Sequence, residues 1–308
     1  MILIISNNEL DNETDLVCRW LIRKEANFLR LNMDDFLRHS CLVGMKDFVY
    51  NGKRYSYTDF SKIWVRRKLN RLPITFKDEN FDTISNVDVN NFQQGEWEKF
   101  MHFFLSRFPH DRMINKAEGY FLSKIEQLDL AEKYELNPPA SYFGNSLDLF
   151  GTEKSLIHKP AGNLGYLQGK DGVYAAFTEV IHPSLKIERL LPSFFQDMVN
   201  ALYEIRVLFC NDQIFACGMI KSDEEENVDV KKQDSVRHSP VLIPIEYQNK
   251  IKAFMKSVGF KVGTLDVIKS KDDYHFIEMN PIGKFSFYSD VGSFGMERKI
   301  AELLMEEI

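Results

Sequence analysis

Gly263–Lys284 reads GTLDVIKSKDDYHFIEMNPIGK. Two β-rich runs, Thr264–Lys269 and Tyr274–Asn280, flank the polar Ser270-Lys271-Asp272-Asp273, so the stretch reads as a hairpin. Three polar residues, Asp266, Glu278 and Asn280, interrupt its otherwise apolar strands. Strand side chains alternate, which puts Glu278 and Asn280 on one face. A loop centred on Asp272 then sets Asp266 opposite Glu278 on that face. Two carboxylates side by side repel unless a cation joins them, and an all-oxygen set of this kind suits Mg²⁺. A hairpin with its charged side chains turned to water fits the same string, and the rest of the chain has to decide between the two.

The chain has 308 residues, room for two or three domains around large apolar cores. It is 44% hydrophobic and 27% charged, the balance of an ordinary globular protein, and 25 phenylalanines supply much of the core mass. A formal net charge of −6 argues against nucleic acid as a partner of the protein as a whole. Cys18, Cys41, Cys210 and Cys217 are scattered without a CxxC pair, which fits reduced thiols in a cytoplasm better than disulfides or a zinc site. The opening apolar run MILII is far too short for a signal-peptide core or a membrane span.

Ile2–Ile5, Asp15–Lys24 and Asn27–Leu31 come in a β-α-β order, predicting a small parallel α/β unit. Asn51-Gly52 predicts a tight hairpin turn. Ile63-Trp64-Val65-Arg66-Arg67 is a strand ending in paired arginines, either solvated or a clamp for a carboxylate or phosphate. Residues 68–90 are polar and loop-rich. A helix is expected from about Asn91 to Arg107, with Phe92, Trp97, Phe100, Phe103 and Phe104 as a core-packing stripe. Ser123–Tyr134 is a second helix with Lys124 in its first turn, and Pro138-Pro139 bars helix beyond it. Lys159 sits on a short strand before a loop bearing Gly162 and Gly165, a possible phosphate grip without the Walker spacing.

Tyr203–Cys210 and Gln213–Met219 are strands joined at Asn211-Asp212. Arg206 lies inside the first, where burial without a partner would cost several kcal/mol or more; it pairs with Glu204 or a neighbouring strand, or it faces an anion. Lys221–Ser235 is the most polar stretch and reads as a loop or flap. Glu246–Val258 is a helix with Ile251, Phe254, Met255 and Val258 on one side.

Lys124, Lys159 with its glycine loop, Arg206 and the Asp266…Glu278-x-Asn280 hairpin occur in an order that resembles the ATP-grasp ligases. The chain looks most like the peptide maturases of the grasp-with-spasm and microviridin type, the graspetide synthetases. The strings that carry this are Asn32-x-Asp34-Asp35, Ile63-Trp64-Val65-Arg66-Arg67, Lys124-x-x-Gln127-Leu128-x-x-Ala131, Lys159-Pro160, Phe195-Gln196, Glu204-Ile205-Arg206-Val207 and Glu278-Met279-Asn280-Pro281-Ile282-Gly283. They span nearly the whole chain.

The resemblance implies an α+β (α/β) architecture: an N-terminal α/β pre-ATP-grasp domain over residues 1–115, a central ATP-grasp lobe over 116–190, and a C-terminal lobe with a magnesium site over 191–308. It implies ATP and Mg²⁺ as cofactors. Lys124 and Lys159 would hold the nucleotide phosphates beside Gly162 and Gly165. Gln196, Asp197, Met198 and Val199 resemble the hinge that meets the adenine. Arg206 resembles the arginine that steadies the transferred phosphoryl group, and Asp266, Glu278 and Asn280 match the magnesium ligands. Asp229, Lys231 and Arg237 stand where the family handles substrate, Asp229 being a candidate base. Asp229-Val230-Lys231 departs from the family's Asp-aromatic-Arg, and a lysine lacks the bidentate fork. Lys284 stands where relatives often carry Gln.

The implied activity is ATP-dependent macrocyclisation of a ribosomal precursor peptide. A Glu or Asp side chain becomes an acyl phosphate, which a Thr or Ser hydroxyl or a Lys amine attacks to give an ω-ester or ω-amide. The implied partners are a precursor with a leader segment and a second copy of the chain. An ATP-grasp ligase that joins amino acids or extends a protein C-terminus, and a non-catalytic peptide-binding module, are the alternatives.

Overall fold

In the computed structural model, which describes residues 1–7, 11–67, 86–147, 155–161, 166–169, 172–175, 178–181, 191–221 and 236–306, strand β1 (Ile2–Ser6) is buried along its whole length. Helix α1 (Asn12–Arg23) buries Thr14, Val17, Cys18 and Leu21, the i, i+3, i+4, i+7 pattern of one helix side. It leads to β2 (Phe28–Asn32), which pairs parallel to β1 as the β-α-β reading expects. After α2 (Asp35–Arg38), the strands β3 (Leu42–Val43), β4 (Asp47–Tyr50) and β5 (Lys53–Ser56) form an antiparallel sheet. Asn51 and Gly52 turn the β4–β5 hairpin with φ of 48° and 73°. Strand β6 (Lys62–Val65) then pairs parallel to the other side of β1, giving the order β2-β1-β6.

Helix α3 (Asn86–Ser106) begins earlier than expected, and its buried stripe is Trp97, Met101, Phe104 and Leu105. Phe92 is 68% exposed, because five residues before Trp97 it lies about 140° round the helix from that stripe. Phe48, Phe104 and Phe108 meet edge-on, with ring centres 5.4 Å apart for Phe48–Phe104, 6.1 Å for Phe48–Phe108 and 5.1 Å for Phe104–Phe108. The paired arginines meet carboxylates of the protein itself. Arg66 is 2% exposed and lies 3.7 Å from Asp11 and 3.5 Å from Glu13, while Arg67 lies 3.5 Å from Asp11. Burial pushes the Asp11 carboxyl up, but Arg66, the Ser6 and Thr14 hydroxyls and Arg67 hold it below the usual range. These pairs tie the end of β6 to the start of α1.

The described chain divides into two compact units, residues 1–117 with 297–308 and residues 118–296. The second unit starts with α4 (Lys124–Lys133), β7 (Ser141–Gly144), β8 (Leu156–His158), β9 (Tyr166–Gly169), β10 (Gly172–Ala175), β11 (Glu179–Ile181) and β12 (Ser193–Asp197). It continues with β13 (Tyr203–Cys210), β14 (Gln213–Lys221), β15 (Val236–Pro240), α5 (Ile245–Ser257), β16 (Val262–Lys269), β17 (Tyr274–Asn280) and α6 (Ser286–Gly292). Helix α7 (Met296–Met305) starts at its last residue. One sheet has the order β11-β8-β12-β7, another pairs β9 with β10, and the largest runs β15-β14-β13-β16-β17 with every pair antiparallel.

On one face of the largest sheet, Ile205, Val207, Leu265, Val267, Phe276 and Met279 join Leu128 and Ala131 of α4 and Ile251, Phe254 and Met255 of α5 in a single core. Strict alternation would put Phe276, Glu278 and Asn280 on the same face. A bulge prevents this: Val267 pairs with Phe276, but Asp266 pairs with Glu278, so Ile277 is one residue too many on β17. Phe276 and Met279 can therefore both enter the core, while Glu278 and Asn280 turn to the other face beside Asp266.

Strand β17 is the edge of its sheet, and α4 covers it. Gln127, buried in α4, accepts from the Met279 N–H at 2.8 Å, and the Leu136 carbonyl accepts from the Phe276 N–H at 3.1 Å. A capping box starts α4. The Ser123 hydroxyl accepts from Glu126 N, and the Glu126 carboxylate accepts from Ser123 N at 2.7 Å. Just past β17, Gly283 packs against Thr264, and a Cβ there would stand 1.8 Å from the Thr264 hydroxyl oxygen.

Ser123→Ala should cost about 1 kcal/mol and lower the melting temperature of the second unit by about 2–4 °C; an unchanged melting curve would show that the cap does not hold α4. Gly283→Ala should cost about 1–3 kcal/mol by overpacking, and a variant as stable as the parent would contradict the close packing against Thr264.

Candidate functional site

The non-core face of the largest sheet carries a row of polar side chains. Arg206 on β13, Asp266 on β16 and Glu278 on β17 are register neighbours across three strands, and Asn280 pairs with Thr264 one step along. The Arg206 guanidinium lies 2.9 Å from an Asp266 oxygen, so the arginine's partner is the neighbouring strand and not Glu204 on its own strand. The Asn280 NH₂ donates to Glu278 at 3.0 Å and, more weakly, to Asp266 at 3.4 Å. The convergence expected from the hairpin is present: two carboxylates and a carboxamide share one patch.

Cations close the row at both ends. Lys124 is the first residue of α4, a position where the helix dipole disfavours a cation. It is held there by Glu278 at 3.4 Å and by the Pro160 carbonyl at 3.3 Å. Gln127, one turn along, is fixed to the Met279 backbone, so one helix face delivers the lysine beside the carboxylate. At the other end, Tyr288 of α6 lies under Arg206, with the guanidinium carbon 5.4 Å from the ring centre. His238 on β15 packs 5.9 Å from Tyr288 and edge-on to Phe287 at 4.8 Å.

Lys159 directly follows β8 and is 6% exposed, with its ammonium donating to Gln196 at 2.6 Å. Burial brings its pKa down to about 8, while Glu278 and Asp266 act the other way. Burial pushes the Glu278 carboxyl up, yet Lys124, the Asn280 amide and Lys159 hold it well below the usual carboxylate range. Burial likewise opposes the charge on Arg206, and Asp266, Tyr288 and Glu278 more than offset it. Three cations thus surround two carboxylates, an arrangement suited to an oxygen-bound divalent cation and an anion with several oxygens.

Other expected residues lie elsewhere. Arg237 pairs with Ile220, so alternation sends it to the face away from Arg206, where it is exposed; its neighbour His238 is the one that turns toward Tyr288. Gln196 is fully buried, and the N–H groups of Asp197 and Met198 donate to the Ala140 and Ser155 carbonyls at 2.9 Å each. Val199 comes next, in an irregular segment. Gly162, Gly165, Asp229 and Lys231, with most of the polar Lys221–Ser235 stretch, lie outside the described residues. Sequence reasoning missed Ser141, His238 and Tyr288. Only the Ser-x-x-Glu box at Ser123 and the i, i+3 spacing of Lys124 and Gln127 carried a local signal for the α4 side of the site.

No protein-family model matches the chain, and no curated protein is similar to it. Solved structures are similar over nearly its whole length. The macrocyclase MdnC of Microcystis aeruginosa, bound with its precursor peptide MdnA, is 17% identical with a TM-score of 0.75, covering 98% of each chain. A RiPP-associated ATP-grasp ligase of Chryseobacterium gregarium, in complex with ADP and a leader and core peptide, is 21% identical with a TM-score of 0.77, covering 98% of this chain and 96% of that one. The D-alanine–D-alanine ligase of Bacillus anthracis is 8% identical with a TM-score of 0.53, covering 99% and 95%. This chain therefore has the ATP-grasp fold, an α+β architecture.

Proposed function

We propose that this chain is an ATP-dependent, ADP-forming carboxylate ligase that macrocyclises a ribosomal precursor peptide. The observation that carries the reading is the Lys124–Glu278–Asp266–Arg206 row, set in a fold that matches a peptide macrocyclase at a TM-score of 0.75 and a RiPP-associated ATP-grasp ligase at 0.77. The amino-acid-joining alternative is the weaker one, since D-alanine–D-alanine ligase matches at only 0.53. The division into lobes at residues 116–190 and 191–308 is part of this proposal, as are cytoplasmic location, a leader-bearing partner and pairing with a second copy. Four free cysteines suit a reducing compartment, and no helix among the described residues is long and apolar enough to cross a membrane.

Asp266, Glu278 and Asn280 fit Mg²⁺. Two carboxylates held edge to edge by one amide are a donor set for a hard cation, and the carboxamide of Asn280 can present its oxygen in place of its NH₂. Magnesium bound there would supply charge neutralisation for the phosphates. Lys124 and Lys159 would bind the β- and γ-phosphates as point charges, near the backbone around Gly162 and Gly165. Met198 and Val199 would border the base. Arg206, already fixed by Asp266 and Tyr288, would orient the transferred phosphoryl group without moving.

In the reaction the peptide carboxylate oxygen bonds to the γ-phosphorus, and ADP leaves with the electrons of the broken P–O bond. A hydroxyl or amine of the same peptide then attacks the acyl carbon, loses its proton, and expels phosphate. Lys231 is proposed to serve the peptide's carboxylates, and Asp229 is proposed as the base.

Asp266→Asn and Glu278→Gln should each slow Mg²⁺-dependent ADP release by roughly 100-fold or more, and Arg206→Ala should do the same while leaving peptide binding in place. Turnover unchanged in these variants would remove the residues from the mechanism. The product should weigh one water less than its precursor for each ring closed, as read by mass spectrometry; a mass gain would favour the amino-acid-joining alternative. Below about pH 8 Lys159 carries its charge and above it the charge is lost. ADP affinity of the free enzyme should therefore fall as pH rises through about 8, and Lys159→Met should flatten that profile; a parent profile already flat from pH 7 to 9.5 would contradict the phosphate-binding role.

A further inference from the structure

We propose that the side chain of Gln196 is a positioning residue, holding the Lys159 ammonium in place for the nucleotide phosphates through a hydrogen-bond chain anchored on Ser141. This rests on the phosphate-binding role proposed above for Lys159. Its effect is to orient the ammonium without neutralising it.

A buried ammonium on a flexible four-carbon stem needs an acceptor, and it loses rotamer freedom when it is fixed. Lys159 has its acceptor in the Gln196 carboxamide oxygen at 2.6 Å. Gln196 lies on β12, paired on one side with Ser141 of β7 and on the other with Ile157 of β8, and it is fully buried. The same strand supplies the Phe194 ring, 5.6 Å from the ammonium, and the Phe194 carbonyl, which accepts from the Lys159 backbone N–H at 3.3 Å. Three contacts from one central strand thus fix the lysine.

The direction of the carboxamide is set by donor and acceptor chemistry. The Pro139 carbonyl can only accept, and the Ser141 hydroxyl donates to it at 2.9 Å. The Ser141 oxygen is then left to accept, and the Gln196 NH₂ donates to it at 2.9 Å. The Gln196 oxygen therefore faces Lys159. A carboxylate at this position would pair with the ammonium and compete with an incoming phosphate. A carboxamide leaves the full positive charge available. The sheet position adds rigidity, since a site built on paired strands is held more closely than one on a loop.

The test is a double-mutant cycle read by calorimetric titration of Mg²⁺–ADP into the full-length protein, with circular dichroism confirming that each variant is folded. Gln196→Leu should weaken ADP binding at least tenfold when Lys159 is present and leave it unchanged in a Lys159→Met background. Ser141→Ala should weaken it about threefold with Lys159 present and not at all without it; this second cycle decides the matter if Gln196→Leu does not fold. Parent-like ADP binding by folded Gln196→Leu, or equal losses in both backgrounds, would overturn the positioning role. Parent-like binding by Lys159→Met alone would instead overturn the phosphate-binding reading on which the inference rests.

Discussion

The extra residue on β17, Ile277, reconciles two demands that regular strand geometry sets against each other. Phe276 and Met279 are needed in the core, and Glu278 and Asn280 are needed beside Asp266. Without a bulge, Phe276 would share a face with the two polar residues, and either an aromatic ring would leave the core or a carboxylate would enter it. Because the slip is confined to one position, the turn-side pairs from Val267 to Lys269 and the site-side pairs from Thr264 to Asp266 each keep regular antiparallel contact. The same slip makes the outward N–H groups of β17 fall at Phe276 and Met279, where Leu136 and Gln127 meet them. The docking of α4, and with it the place of Lys124, depends on that spacing.

Around this frame the site is a balance of charges that the protein holds at some cost. Lys124 sits against its helix dipole, Lys159 and Arg206 are largely buried, and Asp266 and Glu278 stand side by side. Each is tolerable because an opposite charge or a fixed dipole faces it. Such a set is poised for an anion and a cation arriving together, since each incoming charge relieves a like-charge contact already in place. Preorganisation of this kind puts the reorganisation cost into folding and leaves little for the moment of binding.

Much of the fold was legible locally. The β-α-β order of Ile2–Leu31, the Asn51-Gly52 turn, the apolar side of Ile251–Val258 and the hairpin between Asp266 and Glu278 all come from periodicity and turn chemistry, which are short-range properties. The expectations that needed long-range information fared differently. Arg66 looked like surface or a clamp, yet it is buried against Asp11 and Glu13, whose approach depends on how α1 packs. Phe92 looked like core and is exposed, because the side of α3 that packs is the one carrying Trp97, Met101 and Phe104, about 140° round the helix from it. Arg237 carried the charge expected of a substrate contact, but the β14–β15 register sends it to the other face.

The sequence by itself determined which residues could do chemistry and which strands carry them, because residue type and period-2 alternation are written into the local string. It also ordered Lys124, Lys159, Arg206, Asp266, Glu278 and Asn280 along the chain. Only the tertiary structure decided that Arg206 pairs with Asp266, that Gln196 and Ser141 aim Lys159, that Tyr288 backs Arg206, and that a bulge rather than simple alternation brings Glu278 to the site face. Those contacts join residues far apart in the chain, through strand register and helix docking set by the whole core, and no local pattern encodes them.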